Sequence, residues 1–209
     1  MNRFLVVFDV DSTLIQDEVI ELLAEEAGKR AEVAAITEAA MRGEIDFADS
    51  LRARVATLSG LPESVIHSTY ERVRLTPGVT TLIEHIHSVG GLVGAVSGGF
   101  AQILQPLAER LRVDFHLANQ LGVLDGKLTG GVDGAIIDKS AKAAALVRWA
   151  AESGIAPSNT IAVGDGANDL DMMNKAGLGV AFNAKPVVRE RANVVVDLVD
   201  LAELIPLFR

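Results

Sequence analysis

Phe4-Leu5-Val6-Val7-Phe8 is an unbroken apolar run. A strand with one wetted face would alternate, so this run predicts a strand buried on both faces, as in a parallel sheet. It ends in Asp9-Val10-Asp11-Ser12-Thr13, and beyond Leu14 the period changes. Residues 19–27, 31–41, 46–58 and a stretch from Pro62 to about Arg74 carry apolar side chains at helical spacing. Gly28 suits the end of the first helix and Pro62 the first turn of the last. No convincing strand is legible between Leu14 and Thr76. About 60 residues of helix after a single strand exceed any ordinary strand-to-helix connection. The pattern predicts a helical cap inserted into a larger fold.

After Thr76 the two periods alternate. A helix over 79–89 is stopped by Gly90-Gly91, and a strand over 92–96 ends in Ser97-Gly98-Gly99. A helix from about 100 to 111 and a short strand near 114–118 follow. Asp125-Gly126, inside 121–132, predicts a hairpin. Next come a helix over 140–153, a strand over 159–163 ending in Gly164-Asp165, a further unit over 170–182, a strand over 194–196 and a short helix near Leu204. The expected fold is α/β: a doubly wound, Rossmann-like parallel sheet core with a small inserted helical cap domain. Residues 1–14 and 75–209 would form the core and 15–74 the cap.

Composition narrows the function. The chain has 209 residues, 49% of them hydrophobic, and a net charge of −9, which argues against nucleic acid as a partner. The same charge repels anions at long range, so a bound phosphate needs local cations. There is no cysteine, hence no disulfide framework and no thiolate metal site. No leader pattern and no apolar run near the ~20 residues of a membrane span are seen. The expected setting is the cytoplasm, without a membrane partner, and with the first strand at Phe4 no amino-terminal sensing domain is expected. Composition leaves monomer and homodimer undecided.

Three strands end in polar loops: Asp9-Val10-Asp11, Ser97-Gly98-Gly99 and Gly164-Asp165. In a parallel sheet these ends share one edge. The Ser-Gly-Gly stretch before a helix offers a hydroxyl and open backbone N–H groups to an anion, although Ser and Gly are also ordinary cap and turn residues. Asp9 and Asp165 make an oxygen-donor site of the kind Mg²⁺ prefers, with Asn168 and Asp169 in the next helical turn. Zinc is disfavoured by the missing Cys and His ligands. A lysine beside the phosphate is expected; Lys139 and Lys142 both flank the start of their helix, and periodicity does not choose between them. Arg54 lies on the helical face of Phe47, Leu51, Val55 and Leu58, whereas Arg52 does not. A cation on an apolar face is snorkelling or paired.

DVDST at Asp9 to Thr13, SGG at Ser97 to Gly99, a following lysine and GDGAND at Gly164 to Asp169 resemble the four motifs of the haloacid dehalogenase-like phosphatase superfamily. The segments DSTLIQDEVIELLAEEAG, MRGEIDFADSLRARV, VSGGF, DGKLTG and AVGDGANDLDMM narrow the resemblance to the phosphoserine phosphatase family. The resemblance implies Mg²⁺-dependent hydrolysis of phosphoserine, the last step of L-serine biosynthesis. It makes Asp9 the nucleophile and Asp11 the general acid and base. It gives the metal to the side chains of Asp9 and Asp165 and the backbone carbonyl of Asp11. Ser97, Gly98, Gly99, Lys142 and Asn168 would hold the phosphate, with Asp169 orienting the metal's waters or Lys142. Arg54 would take the substrate carboxylate, and Glu18, which helical phase alone puts on the polar side, its ammonium. Met41 and Phe47 would wall the pocket. An Asp nucleophile is expected to be ionised at neutral pH without an activating base.

A signalling receiver domain also phosphorylates an Asp, but such domains lack a helical cap and place that Asp on a later strand. A silent binding module would be expected to have lost Asp9 or Asp11. A related phosphatase or phosphotransferase acting on another small phosphomonoester is the nearer alternative.

Overall fold

The run Phe4–Phe8 becomes β1, and a computed structural model describing residues 4–41 and 44–208, with only the backbone of Met41, shows why it carries no polar residue. Val6 and Phe8 join one hydrophobic cluster and Leu5 and Val7 another, on opposite faces of a sheet. All four are fully buried, each contributing about 1.5–3 kcal/mol of hydrophobic stabilisation.

Around β1 stand β2 (Gly91–Phe100), β3 (Phe115–Leu124), β4 (Lys127–Asp133), β5 (Thr160–Gly164), β6 (Leu178–Phe182) and β7 (Val194–Val196). Among the described residues they form one seven-stranded sheet of order β4-β3-β2-β1-β5-β6-β7. All pairings are parallel except β3 with β4. The chain steps outward from β1 to β4, returns through α7 (Lys139–Glu152), and steps outward again on the other side from β5. The order therefore reverses between β1 and β5, which opens a crevice at their carboxyl ends.

Helices α5 (Val79–Ser88) and α6 (Ala101–Leu111) cover one face through Leu82, Ile86, Ile103 and Leu107. Helices α7 and α8 (Leu170–Lys175) cover the other through Leu146, Trp149 and Met172. Trp149 stacks on Phe115 at 5.5 Å between ring centroids, and a Cβ added at Gly94 would lie 2.8 Å from its ring. A four-residue helix, α9 (Pro186–Arg189), precedes β7.

Between β1 and α5 lie α1 (Val19–Glu26), α2 (Arg30–Met41), α3 (Phe47–Ala56) and α4 (Ser64–Arg72). The two chain segments leading in and out run antiparallel, with Ile15 bridged to Leu75. Gln16 N–H donates to the Arg74 carbonyl (2.9 Å) and Thr76 N–H to that of Leu14 (3.0 Å). The buried Asp17 carboxylate clasps Arg74 at 2.6 Å across the same pair. At the far end the α3–α4 turn is hydrogen-bonded to the β3–β4 hairpin. Gly60 N–H donates to Leu128 O (2.9 Å), Leu128 N–H to Leu61 O (2.9 Å) and Glu63 N–H to Gly126 O (2.8 Å).

The structure departs from the sequence reading in three places. The strand expected to end at Val96 continues to Phe100, but its register against β3 shifts: Val96 pairs with Leu117 and Phe100 with Asn119. Ser97 to Gly99 thus bulge out of the ladder, and the helix begins at Ala101. The strand pieces near 114–118 and 121 are one strand, β3, parallel to β2 at its start and antiparallel to β4 at its end. Pro62 lies before α4, bridged to Lys127, because the turn is extended against the hairpin. Asp125 and Gly126 both take positive φ, 50° and 72°, as an Asp-Gly hairpin turn requires. Among the described residues no helix is long and apolar enough to cross a membrane.

Candidate active site

Four buried charged groups meet at the carboxyl edge of β1 and β5. Asp9 follows β1, Asp165 follows β5, Asp169 precedes α8, and Lys142 rises from the first turns of α7. The Lys142 ammonium donates to Asp9 Oδ1 at 2.5 Å and to Asp169 Oδ1 at 2.8 Å. Carboxylate oxygens of Asp9, Asp165 and Asp169 lie within 4.8 Å of one another. Three carboxylates thus face one ammonium, and the imbalance shows in their proton affinities. Burial, then the charge of Asp169, push the Asp9 carboxyl up to about 7 despite Lys142. Burial, Asp9 and Asp169 hold Asp165 well above the ordinary range. Burial works against the Lys142 charge, but Asp169 and Asp9 outweigh it and raise its pKa. Burial thus works against the ionised form of Asp9, and positive charge close by favours it. Three hard oxygen donors with two negative charges uncompensated fit a divalent cation.

Two glycines place Asp169. A Cβ at Gly164 would stand 2.3 Å from Asp169 Oδ2, so only glycine lets Asp169 fold back over the end of β5. That oxygen then accepts from Gly166 N–H (3.1 Å).

Asp11 sits in the tight turn Val10–Leu14, where Ser12 adopts φ +57°. One of its oxygens, Oδ2, accepts from Val19 N–H (3.1 Å) at the start of α1. The other, Oδ1, is buried without a hydrogen-bond partner. Burial, then Glu18 and Asp9, raise the Asp11 pKa well above the usual carboxylate range. Ser12 Oγ donates to Glu18 Oε1 (2.7 Å), which fixes Glu18 over the crevice. Burial raises the Glu18 pKa, against the pull of Ser12 and Arg54.

The β2 bulge forms another wall. Gly99 N–H donates to Ser97 Oγ (2.8 Å), and a Cβ on Gly99 would lie 3.4 Å from Asp11 Oδ2. A Cβ on Gly98 would press on the Phe47 ring at 2.8 Å. Arg54, buried although charged, donates from Nε to Ser50 O (3.2 Å) and from Nη1 to Thr37 Oγ1 (3.2 Å). Burial lowers its pKa, opposed by Glu18 and Asp11.

A crevice of about 370 Å³ joins these pieces. It is lined from below by Asp9, Asp11, Asp165 and Asn168, on one side by Ser97, Gly98 and Gly99, and from α1 and α3 by Glu18, Phe47 and Arg54. Lys142 and Asp169 lie buried against Asp9, whereas Lys139 lines the crevice itself. The Asp11 side chain is outside the close acid cluster, in which Asp169 stands instead. The Met41 side chain falls outside the described residues. Sequence reasoning missed Ser12, Thr37 and Asn119, the last buried and bonded to both Gly98 and Ile137. β3 also carries the polar His116 and Gln120, both exposed, so nothing in the sequence singles out Asn119 as the buried one.

A family model for haloacid dehalogenase-like hydrolases matches residues 6–174. The phosphoserine phosphatase of Streptomyces coelicolor is 59% identical over 194 residues, covering 93% of this chain and 47% of that protein. The chain thus spans about half the length of that relative. The phosphoserine phosphatase of Streptococcus thermophilus is 52% identical over 201 residues, covering 96% of this chain and 94% of that one. A solved phospho-aspartyl intermediate analogue of phosphoserine phosphatase superposes with a TM-score of 0.96 at 41% identity, over 100% of both chains.

Proposed function

The chain belongs to the haloacid dehalogenase-like hydrolase family, and from that premise we propose that it hydrolyses O-phospho-L-serine to L-serine and phosphate through an aspartyl-phosphate, with Mg²⁺ as its metal. One observation carries the substrate: the buried Arg54 cation and the Glu18 carboxylate line the same crevice as Asp9. A zwitterionic amino acid esterified to phosphate matches that pair of charges. The final step of serine biosynthesis, in the cytoplasm, is the setting that this reading implies. Residues 15–74 act as a cap over a core of 1–14 and 75–209.

In the first half-reaction an Asp9 oxygen bonds to phosphorus while the bond from phosphorus to the seryl oxygen breaks. Asp11 gives that leaving oxygen its proton. In the second, water attacks the aspartyl-phosphate, Asp11 takes the water's proton, and the Asp9 carboxylate is released with phosphate. Asp11 suits both tasks, because its raised pKa keeps a proton available and its unpartnered Oδ1 has no competing bond. Lys142 favours the ionised form of Asp9 and holds it in place. Ser97, the Gly98 N–H and Asn168 hold the phosphoryl oxygens, with the Gly99 N–H steadying the Ser97 hydroxyl. Asp9, Asp165 and the Asp11 backbone carbonyl would hold Mg²⁺, with Asp169 steadying Lys142 and the metal's waters. Bound there, the ion supplies the two positive charges that the cluster lacks. Asp9, Asp165 and Arg54 are buried along the crevice, which strengthens the electrostatic interactions around the reacting groups.

Steady-state phosphate release from phosphoserine, phosphothreonine and an aryl phosphate in Mg²⁺ buffer tests the reading, each with and without an added alcohol. Phosphoserine should have the largest kcat/KM, and the alcohol should capture little phosphate. A preference for another ester, or efficient transfer to the alcohol, would overturn it.

A further inference from the structure

Arg54 is a long, flexible cation held inside a mostly apolar helix face, and among the described residues no carboxylate lies at ion-pair distance from it. Two neutral oxygens hold it. The Ser50 carbonyl, one turn back along α3, takes Nε, and Thr37 Oγ1 from α2 takes Nη1. Thr37 is itself buried, and its hydroxyl donates to the Val33 carbonyl at 3.0 Å. A hydroxyl has one proton; with that proton committed to Val33, Thr37 can only accept from its other neighbours. A guanidinium can only donate. The polarity of the chain Arg54 to Thr37 to Val33 is thus fixed by chemistry, and the bond to the carbonyl one turn back holds the Thr37 hydroxyl in this rotamer.

From this arrangement we infer that Thr37 is a positioning residue for recognition of the substrate carboxylate. With Nε and one Nη1 proton spent, the guanidinium keeps its Nη2 donors and the other Nη1 proton for a ligand in the crevice that Arg54 and Thr37 both line. Thr37 makes no contact with the phosphate machinery: Asp9, Lys142 and the β2 bulge are held by other groups. It therefore sets how well a carboxylate-bearing ester is bound while leaving phosphoryl transfer alone. A neutral partner serves here where an acid would not. A carboxylate at position 37 would saturate Arg54 and compete with the ligand, whereas a hydroxyl orients the guanidinium and leaves its charge unspent.

The inference rests on the phosphoserine reading for its substrate, and its test separates the two. Thr37→Val keeps the shape and removes the acceptor; Thr37→Ser keeps the acceptor. Thr37→Val should raise the KM for phosphoserine roughly tenfold, the size of one hydrogen bond to a charged group, with kcat nearly unchanged. Turnover of an aryl phosphate without a carboxylate should stay near wild type, and Thr37→Ser should restore the phosphoserine KM. In the free protein, the ¹⁵N-edited signal of Arg54 Nε–H, assigned by its loss in Arg54→Lys, should shift and exchange faster in Thr37→Val but not in Thr37→Ser. Equal losses on both esters, or no rescue by Ser, would mean that Thr37 is merely structural. Should wild type show no preference for phosphoserine, the substrate reading falls. The Nε–H signal then decides alone: altered in Val and kept in Ser supports positioning, and unchanged in Val refutes it.

Discussion

The Asn119 side chain joins the Ser97 to Gly99 bulge to the loop before α7. Its Nδ2 donates to the Gly98 carbonyl at 2.8 Å and its Oδ1 accepts from Ile137 N–H at 2.7 Å, with the residue almost fully buried. The Gly98 peptide is thereby tied to the segment that leads into α7 and Lys142. Asn119→Ala should leave two backbone groups unpaired, at about 1–3 kcal/mol each. The expected result is a lower melting temperature and a loss of kcat/KM of similar proportion on phosphoserine and on an aryl phosphate, because the phosphate cradle serves both. Asn119→Asp should be worse, since its second oxygen would face the Gly98 carbonyl. A loss confined to phosphoserine would contradict the role.

Asp9→Asn removes the proposed nucleophile and one of three mutually repelling acids. Turnover should fall by at least about 10³-fold, the scale seen when a covalent nucleophile is lost. Acid-quenched enzyme should hold no hydroxylamine-sensitive phosphate. Metal-free Asp9→Asn should nevertheless melt higher than metal-free wild type at pH 8, because one uncompensated buried charge is gone. Substantial turnover in this folded variant would sink the aspartyl-phosphate.

The same charge excess fixes a pH dependence. Burial and Asp169 raise the Asp9 pKa to about 7, against an unfolded value of about 3.9. Asp11 and Asp165 are raised as well. Between roughly pH 4 and 7 the native metal-free protein binds more protons than the unfolded chain, so its stability falls as pH rises through that window. Its melting temperature should drop by roughly 5 °C or more from pH 5 to pH 8. Mg²⁺ should restore it, and by more at pH 8 than at pH 5, because carboxylates bind metal only when deprotonated. Calorimetric scans with chelator and with Mg²⁺ at both pH values check this. Equal metal stabilisation at the two would mean that these acids are not the ligands.

What was legible in the sequence tracks what is dictated locally. The Phe4–Phe8 run announces a strand buried on both faces, and Asp125-Gly126 announces its turn, because backbone and burial requirements are written into consecutive residues. The strand ends carrying Asp9, Ser97 and Asp165 converge as any doubly wound sheet requires. Longer-range information was not legible. Ser97 to Gly99 bulge from β2 because the register against β3 shifts, and that register depends on residues about 20 positions away. Thr37 looks like an ordinary helical threonine until α2 and α3 pack and bring Arg54 to it. The raised pKa of Asp9 was not legible for the same reason: three acids gather only after folding, and a reference pKa knows nothing of that.

On the proposed reading, Arg54 and Glu18 select the substrate, and the two should fail differently from Asp9. Arg54 is buried, fixed by Ser50 and Thr37, and lines the crevice with Glu18, itself held by Ser12. Neither touches the Asp9–Lys142–Asp169 chain of hydrogen bonds. Arg54→Ala should remove a charge-assisted contact to the substrate carboxylate, worth ~1.5–3 kcal/mol, and so lower kcat/KM for phosphoserine by roughly 10- to 150-fold. Glu18→Gln keeps the shape and the Ser12 contact but loses the negative charge toward the ammonium, so its loss should be smaller and of the same kind. An aryl phosphate has neither group, and its slower turnover should change little in either variant. Kinetics of both variants on both esters separate recognition from chemistry. If the aryl phosphate loses as much as phosphoserine does, Arg54 shapes the crevice rather than reading the carboxylate, and the preference for an amino-acid ester must come from elsewhere.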